Sequence, residues 1–562
     1  MNEVEPEAKV GLAGRLLNAV EWAGNKLPDP VTLFVIGALL VPVVSHIVYV
    51  SGWEVALVEP ATVDGESVLQ ETGEVITAVP MLTWDNLYGL VKGLKDNFIN
   101  FPPLGVVLVG MLGIGVAERS GLIGAALKAL MLVVPTRLLT PAMVFVGVMS
   151  SAGMDAGYVV LPPVAALLYL SVGRSPLAGI AAVFAGVSAG FCANLVITGL
   201  DPMLSELSQS AARLVDSDYA VAATCNWAFA AVSTGFLTFI GWAVTAWFVE
   251  PRLNARSAEH GGPGDLDTLH HHEQTLDPSE KKGLIWAALT LVVFSGLLII
   301  LIATTGSLLN GRDATTPIGW MTGIGSLAAT PGVLVHFGDA DGQGFDRWVV
   351  AIVPIIFFVF LVPALAYGIG AKTIKNDKDA ARMMTEAMAA MAPIIVLAFF
   401  AGQFIAWFGQ SNLGTMFAIT GGRAIAEAGL PTWAVLIAFI LLVAVLNLFI
   451  GSMSAKYTLL APVFIPMFMI GASMSPELTQ AAYRVGDSCT NIITPLNAYL
   501  IIILVFVQKY DKQAGMGTMI ALMLPYSVVF LITWTALLLG WVSFGFDLGP
   551  NGPLEYVPAT GN

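Results

Sequence analysis

The sequence predicts an all-α polytopic membrane protein, and three observations carry that prediction. Of 562 residues, 56% are hydrophobic and only 11% charged, with a mean hydropathy of +0.79; soluble domains carry about 25% charged residues. Such an excess of apolar surface cannot be enclosed in a soluble core, because surface grows too fast with size. Uncharged apolar runs recur at about 31–50, 99–117, 139–154, 219–249, 284–304, 348–371, 430–450 and 514–546, most of them near the roughly 20 residues a spanning helix needs. The long, weakly alternating pattern of a membrane β-barrel is absent. A soluble multidomain enzyme, a nucleic-acid binder and a disordered scaffold are excluded. The net charge of −14 argues further against an anionic polymer as partner.

The elements follow in order. Residues 1–28 form a polar N-terminal segment with Lys9, Arg15 and Lys26, too polar for a cleavable signal peptide. Residues 29–249 make a first membrane half, 250–283 a hydrophilic linker, 284–546 a second membrane half, and 547–562 an acidic tail. Lysine and arginine collect in 1–28, 250–283, 371–383 and 508–513, whereas 52–98, 305–347 and 547–562 are acid-rich. That bias places the N-terminus in the cytoplasm and the C-terminus outside, which requires an odd number of crossings. Cys192, Cys225 and Cys489 offer neither a disulfide framework nor a paired metal motif. His270, His271 and His272 lie in the polar linker and read as an incidental tract.

The most informative feature is an internal repeat. Ser151-Ser-Ala-Gly-Met-Asp155-Ala-Gly-Tyr158 leads to Pro163, Ser175-Pro176, Gly186, Ser188, Cys192-Ala-Asn194 and Thr198. Gly451-Ser-Met-Ser454-Ala-Lys456-Tyr457 leads likewise to Pro462, Ser475-Pro476, Gly486, Ser488, Cys489-Thr-Asn491 and Thr494. The offset is 299 at the tyrosines, 300 at the Ser-Pro pairs and 297 after a three-residue gap. Several residue types keep register, which chance similarity of apolar sequence explains poorly. An odd number of crossings before the second copy would invert it.

Each copy opens with a small polar centre between short apolar arms, predicting re-entrant helical hairpins at about 145–173 and 443–473. Irregular backbone at membrane depth requires burial or a watery cavity. Helix ends at the tips, with Ser151 and Ser452, would present carbonyls to cations and N–H groups to anions. Close helix packing by small residues accounts for one such segment, but less well for a matched pair with matched prolines. Each copy then contains a broken helix, Asn194 to Pro202 and Asn491 to Pro495. Proline frees a carbonyl one turn earlier; Asn194, Asn491, Thr494 and Asp201 add the oxygens of a hard-cation site. Sodium coordination and proton carriage by Asp201 both remain open, as does a helix-capping role for Asp201-Pro202.

Arg484 and Asp487 fall on one helical face within an apolar setting, which implies a polar cavity. Arg484 would receive a substrate carboxylate with Asp487 setting its geometry, or the two would form a structural pair. Asp155 and Lys456, each beside a hairpin tip, are a second candidate pair. Arg174 and Arg213 read as interfacial anchors, and Trp227 and the Phe399-Phe400 pair as core or lipid-facing aromatics on one of which an aromatic substrate could stack.

On these residues the chain resembles the AbgT family of p-aminobenzoyl-glutamate transporters. The resemblance runs from about residue 10 to 545 and rests on Asn25-Lys-Leu-Pro-Asp-Pro-Val-Thr-Leu-Phe, Asp155-Ala-Gly-Tyr-Val-Val-Leu, Ser454-Ala-Lys-Tyr457 and Pro476-Glu-Leu-Thr-Gln-Ala-Ala-Tyr-Arg-Val-Gly-Asp-Ser-Cys-Thr-Asn-Ile-Ile-Thr-Pro495. It implies a bowl-shaped homodimer in the bacterial inner membrane, with nine spanning helices and two re-entrant hairpins per subunit. It further implies transport of p-aminobenzoyl-glutamate or related aromatics, or export of sulfonamide antimetabolites, driven by proton or sodium gradients. The residues implicated would fall on Asp201, Ser454, Tyr457, Pro476, Arg484, Asp487 and Pro495; relatives carry tryptophan at the position of Tyr457.

The resulting expectation is a secondary active transporter of a small aromatic carboxylate and not an enzyme. Ser454, Tyr457, Pro476, Arg484, Asp487 and Pro495 would line the substrate site. Asn194, Asp201, Ser151, Ser452, Asn491 and Thr494 would serve ion coupling, with a bound sodium ion at Asn194, Asp201 and Asn491 and no other cofactor. The rivals are a sodium-coupled di- or tricarboxylate carrier of similar two-hairpin design and a membrane-embedded hydrolase. The hydrolase lacks a histidine near either repeat motif, and no Walker A pattern supports ATP drive.

Overall fold

A computed structural model describes residues 30–63, 66–153, 156–263, 276–303, 347–494 and 497–558. The segment 1–28, Asp155, His270 to His272, nearly all of the acid-rich 305–347 stretch, Pro495 and the end of the tail lie outside the described residues.

The described chain is mostly helical. α1 (Pro30–Ser51) precedes a two-stranded ribbon of β1 (Glu54–Val63) and β2 (Glu66–Thr77). The strands pair antiparallel from Glu54 opposite Thr77 to Val63 opposite Glu66, with an irregularity between Ala56 and Val58. The ribbon lies within the acid-rich 52–98 stretch, where strand alternation is interrupted by Pro60 and by glutamates on both strands. Arg423 clamps it to the helical body, reaching Glu71 at 2.6 Å and the Ala56 carbonyl at 3.3 Å.

The first half continues with α2 (Trp84–Ile99), α3 (Pro102–Arg119), α4 (Leu122–Val133), α5 (Leu139–Met149), α6 (Ala156–Ser171), α7 (Pro176–Phe184), α8 (Leu200–Ala212) and α9 (Trp227–Val244). The second contains α10 (Pro278–Ala303), α11 (Ile352–Ala371), α12 (Asp377–Ala390), α13 (Ala392–Gln410), α14 (Leu413–Glu427) and α15 (Thr432–Asn447), then α16 (Met453–Ala472), α17 (Pro476–Thr490), α18 (Ala498–Gln508) and α19 (Met516–Ser543). Among the described residues, eight helical stretches are long and apolar enough to cross a membrane. The outer face of α10 is exposed at Ile285, Leu289, Val292 and Val293. Hydrocarbon suits such a face; water does not.

The repeat has a direct structural counterpart. Short helices α5 and α6 meet at a 3₁₀ turn, Ser150–Gly153, and α15 and α16 meet at the break between Asn447 and Met453. α5 and α15 begin at Leu139 and Thr432, N-terminal to 145 and 443. α16 by itself is long and apolar enough to span, so composition alone does not separate a hairpin arm from a crossing. After the Ser-Pro pairs, α7 and α17 start with Ser175 and Ser475 as N-caps and proline in the first turn, the arrangement their chemistry favours. The shift in offset coincides with a local difference: α7 passes into a π-helical turn at Ala185–Ala189, whereas α17 runs uninterrupted to Thr490. Accommodating an insertion as a π-turn is a known helical solution.

Gly186, in the π-turn that continues α7, and Gly486, in α17, allow close approach to α5 and α15. A Cβ at Gly186 would stand 2.2 Å from the Val144 carbonyl oxygen, and one at Gly486 2.6 Å from that of Ile440. Each half also closes with a strap. Ser175 Oγ donates to the Gly261 carbonyl and Ser475 Oγ to the Pro553 carbonyl, both at 2.6 Å. The acidic tail is thus folded back: Tyr556 is buried and its hydroxyl donates to Asp216 at 3.1 Å. Burial, with that carboxylate beside it, pushes the Tyr556 phenol well above its ordinary pKa.

Candidate functional site

α17 carries the centre of the site. Every residue from Pro476 to Thr490 is buried, although the segment includes Glu477, Gln480, Arg484 and Asp487. Gln480, Arg484, Asp487 and Ser488 share one face by their spacing. Each leaves a buried polar atom without a hydrogen-bond partner: Gln480 Nε2, Arg484 Nε and Nη2, Asp487 Oδ2 and Ser488 Oγ. Native interiors leave few such groups, and four on one face of one helix mark a surface made to meet something polar.

Arg484 is met by α8 of the other half. Its Nη2 lies 2.8 Å from Asp201 Oδ1, close enough for an ion pair but without a directed N–H···O bond. Asp201 does not open α8 as its N-cap, one of the roles left open by sequence. It sits in the first turn, and its Oδ2 accepts from the Thr198 amide at 2.7 Å and the Thr198 hydroxyl at 3.0 Å. The contact reaches back across the Gly199 N-cap to the residue before it. One oxygen therefore holds the broken segment while the other faces the guanidinium.

Asp487 does not pair with Arg484. Its Oδ1 lies 2.6 Å from Lys456 Nζ, and both side chains are almost wholly buried. Lys456 also donates to Asn447 Oδ1 and, at 3.4 Å, to the Ile450 carbonyl. The Tyr483 hydroxyl donates to the Met453 carbonyl at 2.6 Å and lies 3.2 Å from Asp487 Oδ1. Helical spacing linked Arg484 with Asp487, but each takes its partner from a different helix. The suggested partner of Lys456, Asp155, is outside the described residues.

Tyr457 packs against Tyr483 with ring centroids 4.4 Å apart. Its hydroxyl is 2.6 Å from Ser208 Oγ, which in turn lies 2.8 Å from Gln480 Oε1. Pro476 is the first residue of α17. Ser454 lines a different small cavity, with Pro103, Met203 and Leu397. Asn194 Nδ2 donates to Ser151 Oγ at 2.8 Å, and Asn491 Oδ1 accepts from Asn447 Nδ2 at 2.8 Å. In each half the asparagine of the broken segment thus grips its own helix break. Ser452 caps α16 by accepting from the Ala455 amide, and Thr494 Oγ1 donates to the Leu448 carbonyl. The three residues expected to hold sodium are divided: Asn194 and Asp201 line one cavity with Arg484, and Asn491 does not. Asp201 faces Arg484 there, and among the described residues no group of three or more histidine, cysteine or acidic side chains could hold a metal.

That cavity is small, about 10 Å³, room for roughly one water. Trp227 closes one side, its Nε1 donating to the Leu195 carbonyl at 2.9 Å. Beyond Trp227 and Val196, which line both spaces, lies a cavity of about 760 Å³ walled by Leu127, Met149, Leu291, Ile356 and Phe360 among others. Asn447, Ser208 and Gln480 carry much of this arrangement without having been assigned site roles from sequence, and Lys456 had been given only Asp155 as a candidate partner. A lysine within an apolar helix and an asparagine ending an apolar run were the available signals.

Broken helices from two halves of a duplicated chain, meeting over buried charges between membrane-spanning segments, define a polytopic transporter. The chain belongs to the AbgT putative transporter family, which it matches over residues 15–337 and 331–556. It is 32% identical over 539 residues to the p-aminobenzoyl-glutamate transport protein of Escherichia coli strain K12, covering 96% of this chain and 97% of that protein. Two solved structures are similar, each 38% identical. MtrF of Neisseria gonorrhoeae, described among antimetabolite efflux pumps, aligns with a TM-score of 0.83 over 97% of this chain and all of its own. The YdaH transporter of Alcanivorax borkumensis aligns with a TM-score of 0.77 over 93% of this chain and all of its own. The family and these relatives are transporters, not enzymes.

Proposed function

We propose that the protein is a secondary active transporter of small aromatic carboxylates of the p-aminobenzoyl-glutamate and p-aminobenzoate type, with sulfonamide antimetabolites as further cargo. The observation that carries this reading is Arg484, a buried guanidinium whose Nε and Nη2 lack hydrogen-bond partners beside the Asp201 carboxylate. A fixed guanidinium fork suits a substrate carboxylate better than a flexible ammonium would. Substrate arriving at Arg484 would release Asp201, which then takes a proton or joins Asn194 in holding sodium. The adjoining apolar cavity supports an aromatic rather than a purely polar cargo: the small chamber beside Arg484 accommodates a headgroup, and the ring needs the space beyond Trp227.

In this reading the breaks between α5 and α6 and between α15 and α16 are re-entrant tips. The protein works as a homodimer in the bacterial inner membrane, with its N-terminus cytoplasmic and C-terminus external. One repeat-built domain moves against a scaffold to give alternating access. The test is flux of labelled p-aminobenzoyl-glutamate and p-aminobenzoate in sealed proteoliposomes under a sodium or a proton gradient imposed separately. Accumulation under one gradient, lost in Asp201→Asn, is expected and names the ion. Flux of succinate or citrate with none of either aromatic would overturn the substrate class.

A further inference from the structure

We propose that the Lys456 ammonium is a tethered cation: it fills an oxygen cage of the second repeat that would otherwise hold a sodium ion. The cage consists of a carboxylate oxygen, Asp487 Oδ1, a side-chain amide oxygen, Asn447 Oδ1, and the Ile450 carbonyl at the helix break. One anionic oxygen, one amide oxygen and one carbonyl freed by an interrupted helix are the donors with which membrane carriers bind hard monovalent cations.

The cage is built, not incidental. The Asn447 amide holds its nitrogen away from Lys456, because three acceptors compete there for its two N–H groups: the Asp487 carbonyl at 2.6 Å, Thr490 Oγ1 at 2.9 Å and Asn491 Oδ1 at 2.8 Å. Its oxygen is therefore held towards the cation. The space is closed to solvent, as Lys456, Asn447 and Asp487 are all buried.

Comparison of the repeats shows what has been added. At the offset of 299, Lys456 corresponds to Gly157, and at 300, Asp487 corresponds to Val187. The two positions adjoin in the first half as well, where a Cβ on Gly157 would stand 3.5 Å from Val187 Cγ1. The same junction thus carries a glycine and a valine in one copy and a lysine and an aspartate in the other. Charge and countercharge occur together in the second half and are absent together from the first. A pair serving stability alone gains little over apolar side chains of similar volume. The second repeat consequently needs no mobile cation at this cage. On the transport reading above, the coupling ion is then bound elsewhere.

The cage can be tested without transport, so failure here and failure of that reading are separable. Full-length protein in detergent is melted in sodium chloride and in choline chloride at equal ionic strength. Lys456→Ala should gain a sodium-specific rise in melting temperature of at least about 3 °C over the wild-type response. Lys456→Ala combined with Asp487→Asn, which removes the anion of the cage, should lose that gain. A response equal to wild type in Lys456→Ala overturns the proposal, as does a gain that survives Asp487→Asn. If Lys456→Ala is recovered folded only in sodium, the proposal is supported. If it is recovered in neither salt while the double variant folds, the vacated cage does not accept sodium and the proposal fails. If neither variant folds in either salt, the pair is a structural requirement and the proposal fails as well.

Discussion

Arg484 and Asp201 stand 283 positions apart in the chain, yet Nη2 of one lies 2.8 Å from Oδ1 of the other. The contact joins α17 of the second repeat to α8 of the first. It is the one ion pair among the described residues that links the broken segment of one half to the polar helix of the other.

Breaking this pair from one side leaves a charge buried alone. Arg484→Gln and Asp201→Asn are each expected to destabilise the protein, with a coupling of at least about 1 kcal/mol in the double-mutant cycle. Denaturation of the four proteins in detergent measures it. Additive losses would show that the two side chains are independent.

The glycines where the helices press together allow a sharper comparison. Gly186→Ala and Gly486→Ala drive a methyl group into a backbone carbonyl and should each cost about 2–3 kcal/mol or more. Gly235→Ala, with open space around its Cβ, should melt within a degree or two of wild type. Thermal melts of the three variants decide it.

The straps predict a matched response at two distant sites. Ser175→Ala and Ser475→Ala each remove an N-cap and a bond to a returning segment, so each should cost about 1–2 kcal/mol. Truncation after Phe546 removes the Pro553 bond but leaves the cap, and should still exceed the Ser475→Ala loss because Leu548 and Tyr556 also lose their packing. A truncated protein as stable as the full chain would show that the strap contributes nothing.

Cys192 reports on the closure made by Trp227. Both line the small cavity, and Cys192 is buried. Trp227→Ala should raise the rate of Cys192 modification by a membrane-permeant maleimide about tenfold or more, measured against a Cys225→Ser, Cys489→Ser background. An unchanged rate would place the access path elsewhere.

The repeat made much of this architecture legible. Small polar centres located both helix breaks, the matched Ser-Pro pairs that keep register stand at the starts of α7 and α17, and the change of offset fell where the π-turn lies. Partnerships were harder to read. Spacing reports which residues share a helix face, so it joined Arg484 to Asp487. It carries no information on which helix packs opposite, and that decided the partners in favour of Asp201 and Lys456. The ribbon at 54–77 and the straps at Gly261 and Pro553 escaped for the same reason: each is fixed by what it touches, and polar linker composition does not show a docking partner.

The straps also impose an order on the making of the protein. Ser175 waits for a carbonyl 86 residues further on, and Ser475 for one 78 residues further on. The first half can finish its cap while the second is still being translated. The second cannot close before Pro553 has been made, by which point the whole first half and its Gly261 strap already exist. The half that supplies Arg484, Lys456 and Asp487 therefore matures later, against a first half already closed and able to serve as its template.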